Sequence, residues 1–427
     1  MLILGGGYVG LYTALGLQRV LDHVPMEITL VNTENFMTYQ PFLPEVASGL
    51  IEPRHVVLSL RQSLPRVRLL VGEARRIDTS ARTVRVRTMD GKEPEMPYDV
   101  LVVGAGSRSR VLPIPGLKER AIGFKRVEEA VFLRNRVLSR LDLGAETDDM
   151  EERRAALTFV FVGAGYAGVE ALAELEDLSR AAVMSIPNLS REDLRWVLVE
   201  ATGRILPEID MRLARYAQRR LEKRGIEVKL STRLESAEGG VMRLSNGERF
   251  RADTLVWTAG VKPEPLGAHS DLPLDERGRI RVDACLRVEG LDGVWAAGDA
   301  AAVPDPFAKG TSPPTAQHAL RQARRLAANI VATSLGGEPK PFRYRNLGQL
   351  CSLGRYKGVA LVLGFKLKGF PAWFLHRSYH LLMMPTLGKK VRIAFDWTVG
   401  LFFPQDVVQL GSLQSPHEPF ERAAEDD

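Results

Sequence analysis

The stretch Gly5-Gly-Gly-Tyr-Val-Gly10 decides the fold of this 427-residue chain. It follows the apolar run Met1-Leu-Ile-Leu4 and precedes a helical pattern from Leu11 to Val20, so the sequence predicts a strand, a turn and a helix. The GxGxxG spacing suits a turn that binds a dinucleotide, because its three glycines permit a tight bend, close approach to a pyrophosphate and close packing of helix on strand. The amides and dipole at the helix N-terminus would then hold the phosphates.

A second motif, Gly163-Ala-Gly-Tyr-Ala-Gly168, follows the apolar run Phe159-Val-Phe-Val162. The order of features after the first motif then recurs: helix, strand, hairpin, and a buried strand that ends in glycine, at Gly106 in the first half and at Gly260 in the second. This internal repeat predicts two dinucleotide-binding folds and, with them, two dinucleotides that meet face to face. Glycines used only for tight packing are the less favoured interpretation.

The composition is that of a globular protein with two or three domains, 45% hydrophobic and 26% charged. The net charge of +6 is compatible with nucleic acid, an anionic membrane surface or an Arg-rich solvated surface, and charge alone favours the last. Cys285 and Cys351 are the only cysteines, and they argue against a disulfide framework, a thiolate zinc site and dithiol chemistry. The seven histidines show no ligand spacing, so we expect no metal site. A nucleic-acid role would rest on charge alone, and we expect no nucleic-acid partner.

No apolar run reaches the roughly 18 residues of a spanning helix, and the first residues enter the nucleotide-binding strand directly. We therefore expect an intracellular protein without a signal peptide or a transmembrane segment.

The last ninety residues have a different character, because lysines and aromatic residues cluster there. Phe374, Leu375, Tyr379 and Leu382 fall within one sector of a predicted helix, and 391–403 is apolar nearly all round. The lysines that flank these segments are Lys366, Lys368, Lys389 and Lys390. Basic residues beside amphipathic helices favour an anionic membrane surface. A dimer interface or a core contact is the alternative.

With these features the chain resembles the two-dinucleotide flavoprotein reductases and, within them, the type II NADH dehydrogenases (NADH:quinone oxidoreductases), over essentially its whole length. The broad resemblance rests on both glycine motifs, the segments that end at Gly106 and Gly260, and Gly298-Asp299. The narrower one rests on Gln40-Pro-Phe-Leu43, Gly168-Val-Glu170, Trp257-Thr-Ala-Gly-Val261, Thr315-Ala-Gln-His-Ala319, Gly354-Arg-Tyr-Lys-Gly-Val-Ala360 and Gly369-Phe-Pro-Ala-Trp373.

The resemblance implies an α/β fold with two Rossmann-like domains, each a three-layer unit with a parallel sheet and an antiparallel meander, and a C-terminal amphipathic helical region that binds the membrane. The implied boundaries are 1–110 with 284–340 for an FAD-binding domain, 111–283 for an NAD(H)-binding domain, and 341–427 for membrane association or dimerisation. The expected location is the cytoplasmic side of the inner or plasma membrane, as a peripheral protein.

The resemblance also implies residue roles. Residues expected to bind FAD are Gly5, Gly7, Tyr8, Gly10, Asn32, Gln40, Gly106, Gly298, Asp299, Ala316 and Gln317. Residues expected to bind NADH are Gly163, Gly165, Gly168, Glu200 and Gly260. Glu170 would lie near the nicotinamide and the flavin, although an exposed helix carboxylate is the alternative.

Two positions depart from the family pattern. A Rossmann fold wants an acid after its second strand to bind the ribose, and the first half has Asn32 there, whereas the second half has Glu200. An acid at Glu200 would repel a 2′-phosphate and favour NADH over NADPH, although Arg204 is close enough to weaken this preference. The quinone-side pattern Ala-Gln-x-Ala-x-Gln/Glu here ends in Arg321, and Gln322 comes one residue late, about 100° round a helix.

The predicted reaction is hydride transfer from NADH to FAD and then two-electron transfer to a quinone, without proton pumping, with Glu170, Gln317 and Arg321 as catalytic residues. The first alternative is a soluble reductase with another acceptor, of the ferredoxin or diaphorase type. The second is a slow redox-sensing protein that only holds the cofactors. A homodimer is a further expectation.

Overall fold

The computed structural model of the protein describes residues 1–23, 26–346 and 348–409. The chain divides into two compact units. The first comprises Met1–Tyr39, Val57–Arg110 and Gly260–Leu347, and the second comprises Gln40–Val56, Val111–Ala259 and the chain from Gly348 onward.

The strands, in chain order, are β1 Leu2–Leu4, β2 Thr29–Asn32, β3 Phe36–Thr38, β4 Val57–Ser59, β5 Arg68–Asp78, β6 Thr83–Thr88, β7 Glu95–Pro97, β8 Leu101–Val103, β9 Ser107–Ser109, β10 Ala121–Ile122, β11 Thr158–Val162, β12 Arg195–Val199, β13 Ile226–Lys229, β14 Leu234–Ser236, β15 Val241–Leu244, β16 Arg249–Arg251, β17 Thr254–Trp257, β18 Val261–Pro263, β19 Ile280–Arg281, β20 Val294–Ala296, β21 Ala301–Ala302, β22 Gly348–Ser352, β23 Gly358–Val362 and β24 Phe365–Lys368. The helices are α1 Tyr8–Leu17, α2 Leu43–Ala47, α3 Leu60–Ser63, α4 Leu117–Arg120, α5 Val127–Glu146, α6 Met150–Ala156, α7 Tyr166–Val183, α8 Met211–Glu222, α9 Ala316–Ser334, α10 Phe370–Met383 and α11 Leu387–Phe402.

The first unit is built on a seven-stranded sheet in the order β20-β8-β1-β2-β5-β6-β7. Strands β20, β8, β1, β2 and β5 are parallel, whereas β5, β6 and β7 form an antiparallel meander. All three residues of β1 are buried, which explains why this strand reads as a continuous apolar run. Helices α1 and α9 pack together through a cluster around Tyr12, Leu320 and Ala323.

The second unit repeats this architecture around the parallel five-stranded sheet β10-β17-β11-β12-β13. Its antiparallel part is the separate three-stranded sheet β14-β15-β16. A buried apolar cluster that includes Val160, Val197 and Leu255 packs this part of the unit. The predicted α/β class with two Rossmann-like folds, each combining a parallel sheet and a meander, is confirmed.

The C-terminal region adds an antiparallel sheet, β22-β23-β24, and the helices α10 and α11 to the second unit. No helix in the described part of the chain is both long and apolar enough to cross a membrane. The contacts within the chain define the two units but do not show what each unit binds. The assignment of FAD, NADH and membrane association to the predicted domains therefore stays a prediction. Residues 347 and 410–427 of the predicted C-terminal region lie outside the described residues.

Candidate functional site

The first glycine motif forms a tight turn between β1 and α1 whose outer side is open. Gly5 has φ +93°, and a Cβ at Gly10 would lie 1.8 Å from the Gly5 carbonyl oxygen, so neither position tolerates a side chain. A Cβ at Gly7 would meet nothing within 4 Å. Close packing on one side and open space at the helix N-terminus fit the pyrophosphate of a dinucleotide.

The second motif, between β11 and α7, has the same geometry. Gly163 has φ +106°, and a Cβ at Gly168 would lie 2.0 Å from the Gly163 carbonyl oxygen. Gly165 faces open space, as Gly7 does. The two turns therefore offer two equivalent cradles, one in each compact unit.

Asn32 and Glu200 perform the same task in the two turns. The Asn32 Oδ1 accepts a hydrogen bond of 2.7 Å from the amide of Gly6, and the Glu200 Oε2 accepts one of 2.8 Å from the amide of Ala164, the equivalent residue. The other Glu200 oxygen accepts from the amide and hydroxyl of Thr202. Asn32 therefore replaces the expected acid in holding the turn, without a negative charge.

Gly106 and Asp299 follow β8 and β20, two strands of the same sheet as β1, in the first unit. The Ser107 hydroxyl donates to the Asp299 carboxylate at 2.6 Å. Gly298 has φ +71°, and a Cβ there would lie 2.6 Å from the side chain of Val9. Gly106 and Gly260 also have positive φ, which favours glycine, and a Cβ at either position would meet nothing within 4 Å.

Helix α9 begins at Ala316 and is capped by Thr315, whose hydroxyl accepts from the amide of His318. Gln317 in its first turn accepts a hydrogen bond of 3.1 Å from the Tyr344 hydroxyl. The Arg321 guanidinium lies 4.2 Å from the centre of the Tyr344 ring and donates to the carbonyl of Gln317. Tyr344 thus joins the two predicted residues, and no motif in the sequence indicated it.

Gln322, the glutamine that comes one residue late, is buried. Its Oε1 accepts a hydrogen bond of 2.7 Å from the amide of Gly298. The 100° rotation noted in the sequence therefore gives Gln322 a structural role and leaves Arg321 at the partly exposed position.

Glu170 on α7 is buried, so the alternative of an exposed helix carboxylate is wrong. Its Oε1 accepts a hydrogen bond of 2.8 Å from the amide of Ser352 and lies 3.1 Å from the His376 Nε2. Burial by itself would lower the pKa of His376, but the carboxylates of Glu170 and Glu45 act against it and the net pKa is raised. His376 lies outside the apolar sector formed by Phe374, Leu375, Tyr379 and Leu382, so no signal in the sequence indicated it as a partner of Glu170.

Glu174, one helical turn after Glu170, is also fully buried. Its Oε1 accepts a hydrogen bond of 3.2 Å from the Ser352 hydroxyl. Burial, together with the nearby Glu45 carboxylate, raises the pKa of Glu174 to about 8. The sequence did not indicate this residue, because two glutamates spaced by four residues on a helix ordinarily lie on a face exposed to solvent.

The remaining predicted residues are divided between the units. Tyr8 lies in the first unit near Tyr12 and Tyr39, with ring centroids 6.4 and 6.1 Å away. Gln40 belongs to the second unit, where its side chain donates to the carbonyl of Lys125 at 3.2 Å. No group of three or more metal-ligating side chains occurs among the described residues.

A protein-family model, the pyridine nucleotide-disulphide oxidoreductase family, matches residues 1–323. A Mycobacterium tuberculosis protein named type II NADH:quinone oxidoreductase NdhA is 30% identical over 93% of this chain and 86% of its own length. A type II NADH:quinone oxidoreductase of Staphylococcus epidermidis is 31% identical over 88% of this chain and 93% of its own length.

Among solved structures, NDH2 from Plasmodium falciparum in complex with NADH has the same fold, with a TM-score of 0.88, 16% identity, and coverage of 95% of this chain and 99% of the other. The sulfide:quinone oxidoreductase of Aquifex aeolicus is more distant, with a TM-score of 0.71 and 18% identity over 94% of this chain and 95% of the other.

Proposed function

The chain belongs to the type II NADH:quinone oxidoreductases, within the pyridine nucleotide-disulphide oxidoreductase family, and on that premise we propose how its residues perform the reaction. The protein is an FAD-dependent oxidoreductase that transfers a hydride from NADH to FAD and two electrons onward to a quinone, without proton pumping. The observation that carries this function is the pair of equivalent glycine cradles, each closed by backbone on one side and open on the other.

FAD, when bound, supplies the two-electron redox chemistry that links NADH to the quinone. Gly5, Gly7 and Gly10 would hold its pyrophosphate, and Asp299 would hydrogen-bond its ribityl and phosphate region. The N-terminus of α9, at Ala316 and Gln317, would present a positive dipole that favours an anionic form of the ring system. Tyr8, Asn32, Gln40, Gly106 and Gly298 complete the proposed FAD site.

Gly163, Gly165 and Gly168 would hold the NADH pyrophosphate, with Gly260 nearby. Glu200 would bind the adenosine ribose and disfavour a 2′-phosphate by charge repulsion. Glu170, fixed by Ser352 and His376, would stand close to the nicotinamide and the flavin as a buried polar group. Gln317 and Arg321, joined through Tyr344, would face the quinone.

We further propose that α10 and α11 attach the protein to a membrane surface, on its cytoplasmic side. Large apolar side chains on these helices are exposed, among them Phe374, Leu382, Phe395 and Phe402. Exposed apolar area of this extent is typical of a membrane or protein interface. A homodimer formed through the same helices is the second occupant that this surface would fit.

Anaerobic stopped-flow spectroscopy on the detergent-solubilised holoenzyme tests the reaction. We expect rapid flavin bleaching by NADH and rapid reoxidation by a short-chain quinone. Because Glu170 is proposed to lie beside the nicotinamide and the flavin, we expect flavin bleaching by NADH to be roughly tenfold slower in the Glu170→Gln variant. Glu222→Gln, the same change at an exposed carboxylate, should keep both rates. Rapid bleaching with slow reoxidation in the unmodified enzyme would contradict the quinone as acceptor.

Cosedimentation with phosphatidylcholine vesicles tests the membrane attachment. We expect Phe395→Ser on α11 to reduce binding, whereas Phe307→Ser leaves it unchanged, because both side chains are similarly exposed, at 64% and 61%, but only the first lies on the proposed surface. Equal binding by the two variants would contradict the attachment through α11.

A further inference from the structure

Helix α8 carries a row of exposed arginines outside the glycine motifs and the predicted catalytic residues. Arg212, Arg215 and Arg219 are spaced by three and four residues, so they share one face of the helix. The opposite face, with Leu213, Ala217 and Leu221, is buried against the second unit. No ion pair occupies these three guanidinium groups within the described ranges 1–23, 26–346 and 348–409.

The hairpin β23–β24 extends this basic face. The Lys368 ammonium lies 5.2 Å from the ring centre of Tyr216, a residue between Arg212 and Arg219 on the helix. Lys366 Nζ pairs at 2.7 Å with Asp210, which caps the start of α8. Five cations therefore form one continuous basic surface, defined as Arg212, Arg215, Arg219, Lys366 and Lys368.

An apolar hairpin tip lies next to the basic surface. Leu363 and Phe365 are 68% and 73% exposed. The chain turns here with positive φ at Leu363 and at Gly364, as in a tight two-residue hairpin turn. Beyond the hairpin, Gly369 leads directly into α10, whose Phe370 and Phe374 are also more than half exposed. An apolar tip bordered by lysines and arginines is the arrangement by which a protein enters the headgroup region of a bilayer.

We propose that the basic surface binds the headgroups of anionic phospholipids while the tip at 363–365 enters the bilayer interface. This inference rests on the proposed membrane attachment through α10 and α11 and deepens it, because the preference for anionic lipid resides on α8, an element of the nucleotide-binding fold. Charge complementarity selects this partner: Asp210 pairs with Lys366, and Glu222 is a further exposed carboxylate on the same face of α8, so two carboxylates stand against five cations.

Nucleic acid is the other polyanion that such a row could bind. The apolar tip argues against nucleic acid as the partner. A phosphate backbone that ran across the basic surface would need further cations at its edge, where the tip instead presents Leu363 and Phe365. Attraction of each cation to an anionic surface changes affinity roughly fivefold, so three arginines together correspond to a change on the order of 100-fold.

The test is cosedimentation of the full-length holoenzyme with vesicles of phosphatidylcholine alone and of phosphatidylcholine mixed with phosphatidylglycerol. The variant combines Arg212→Gln, Arg215→Gln and Arg219→Gln. The matched control combines Arg233→Gln, Arg243→Gln and Arg249→Gln, which removes the same charge from exposed positions around the sheet β14-β15-β16. A second variant, Phe365→Ser, tests the tip.

We expect the unmodified protein to bind mixed vesicles much more tightly than neutral ones. The α8 variant should lose most of this difference and keep its binding to neutral vesicles, whereas the control should keep the difference. Phe365→Ser should weaken binding to both vesicle types. An equal preference for anionic vesicles in the α8 variant and the control would overturn the inference. So would binding of a single-stranded oligonucleotide that the α8 variant loses while its vesicle binding stays unchanged. Failure of all proteins to bind neutral vesicles would instead count against attachment through α10 and α11.

Discussion

At the scale of single residues, the two glycine turns differ in one side chain that performs the same mechanical task. Asn32 and Glu200 each accept a hydrogen bond from the amide of the residue after the first glycine, at 2.7 and 2.8 Å. Only Glu200 adds a negative charge. The charge is therefore separable from the support of the turn, and it provides a means of testing nucleotide preference.

We expect Glu200→Gln to raise the KM for NADH modestly and to reduce the preference for NADH over NADPH by at least tenfold. The amide can still accept from Ala164, but it no longer repels a 2′-phosphate. The ratio of kcat/KM for the two nucleotides measures this effect. Asn32→Asp is the matched control in the first turn and should leave the ratio unchanged; an equal shift in both variants would contradict a nucleotide-binding role for Glu200.

Gln322 and Arg321 are neighbours, but we expect their replacement to cost different amounts of stability. Replacing the buried Gln322 with Leu leaves the Gly298 amide without its acceptor, and we expect a loss of about 1–3 kcal/mol in the free energy of unfolding. Replacing Arg321 with Ala removes a partly exposed contact with Tyr344, worth about 0.5–1 kcal/mol. Denaturant unfolding of the holoenzyme distinguishes the two. A larger loss in the Arg321 variant would show that the assigned roles are reversed.

At the scale of elements, α10 turns a charged face inward and an aromatic face outward. His376 and Arg377 are buried, whereas Phe374 and Leu382 are exposed. The guanidinium of Arg377 lies 4.1 Å from the Trp373 ring centre and 4.9 Å from that of Trp397 on α11, and its Nη2 is 3.1 Å from the Glu45 carboxylate. The Trp397 indole also donates to Glu45 at 2.6 Å. This buried cluster fastens α10 and α11 to α2 within the second unit.

We expect Arg377→Met to destabilise the second unit by about 3–5 kcal/mol, because Glu45 then remains as a buried charge without its cation. The double variant Glu45→Gln with Arg377→Met should recover a substantial part of that loss. Chemical unfolding of the two single variants and the double variant gives the coupling between the pair. Additive losses would contradict the proposed cluster.

At the scale of the whole molecule, the buried acid and histidine of α7 and α10 make global stability depend on pH. Burial, with the nearby Glu45 carboxylate, raises the pKa of Glu174 from an ordinary 4.5 to about 8, and the pKa of His376 is also raised. Both groups bind their proton more tightly in the folded protein than in the unfolded chain. The stabilisation that each group contributes to the free energy of unfolding is therefore complete at low pH. It is lost as the pH rises through the pKa of that group in the folded protein.

We expect Glu174 and His376 to contribute a decrease in the free energy of unfolding between about pH 5 and pH 8, whereas the lowered pKa values of His318 and His380 act in the opposite direction. Glu174→Gln mimics the protonated acid, so its curve should be flatter over this range and should lie above that of the unmodified protein at pH 8. The exposed-site control Glu222→Gln should follow the unmodified protein. Parallel curves for Glu174→Gln and the unmodified protein would contradict a raised pKa at Glu174.

The sequence by itself determined the repeated architecture, since glycine spacing and strand periodicity are local properties. Tight turns at Gly5 and Gly163 require glycine whatever surrounds them, and the apolar runs before them fit only buried parallel strands. The residue pattern alone also predicted that the C-terminal helices are amphipathic. The roles of the FAD- and NADH-binding residues came from a resemblance, whereas the membrane surface was predicted from the lysines beside the C-terminal amphipathic helices. These assignments stay predictions.

Tertiary structure alone decided which side of each amphipathic element is buried and which polar groups meet. Periodicity marked an aromatic sector on α10, but this sector is exposed, because the Arg377–Glu45 and Glu170–His376 ion pairs lie on the opposite, buried face. Two further contacts connect residues far apart in the chain. Tyr344 contacts both Gln317 and Arg321, and Lys368 of the β23–β24 hairpin lies over the ring of Tyr216 on α8. Such contacts depend on long-range packing, which no local pattern encodes.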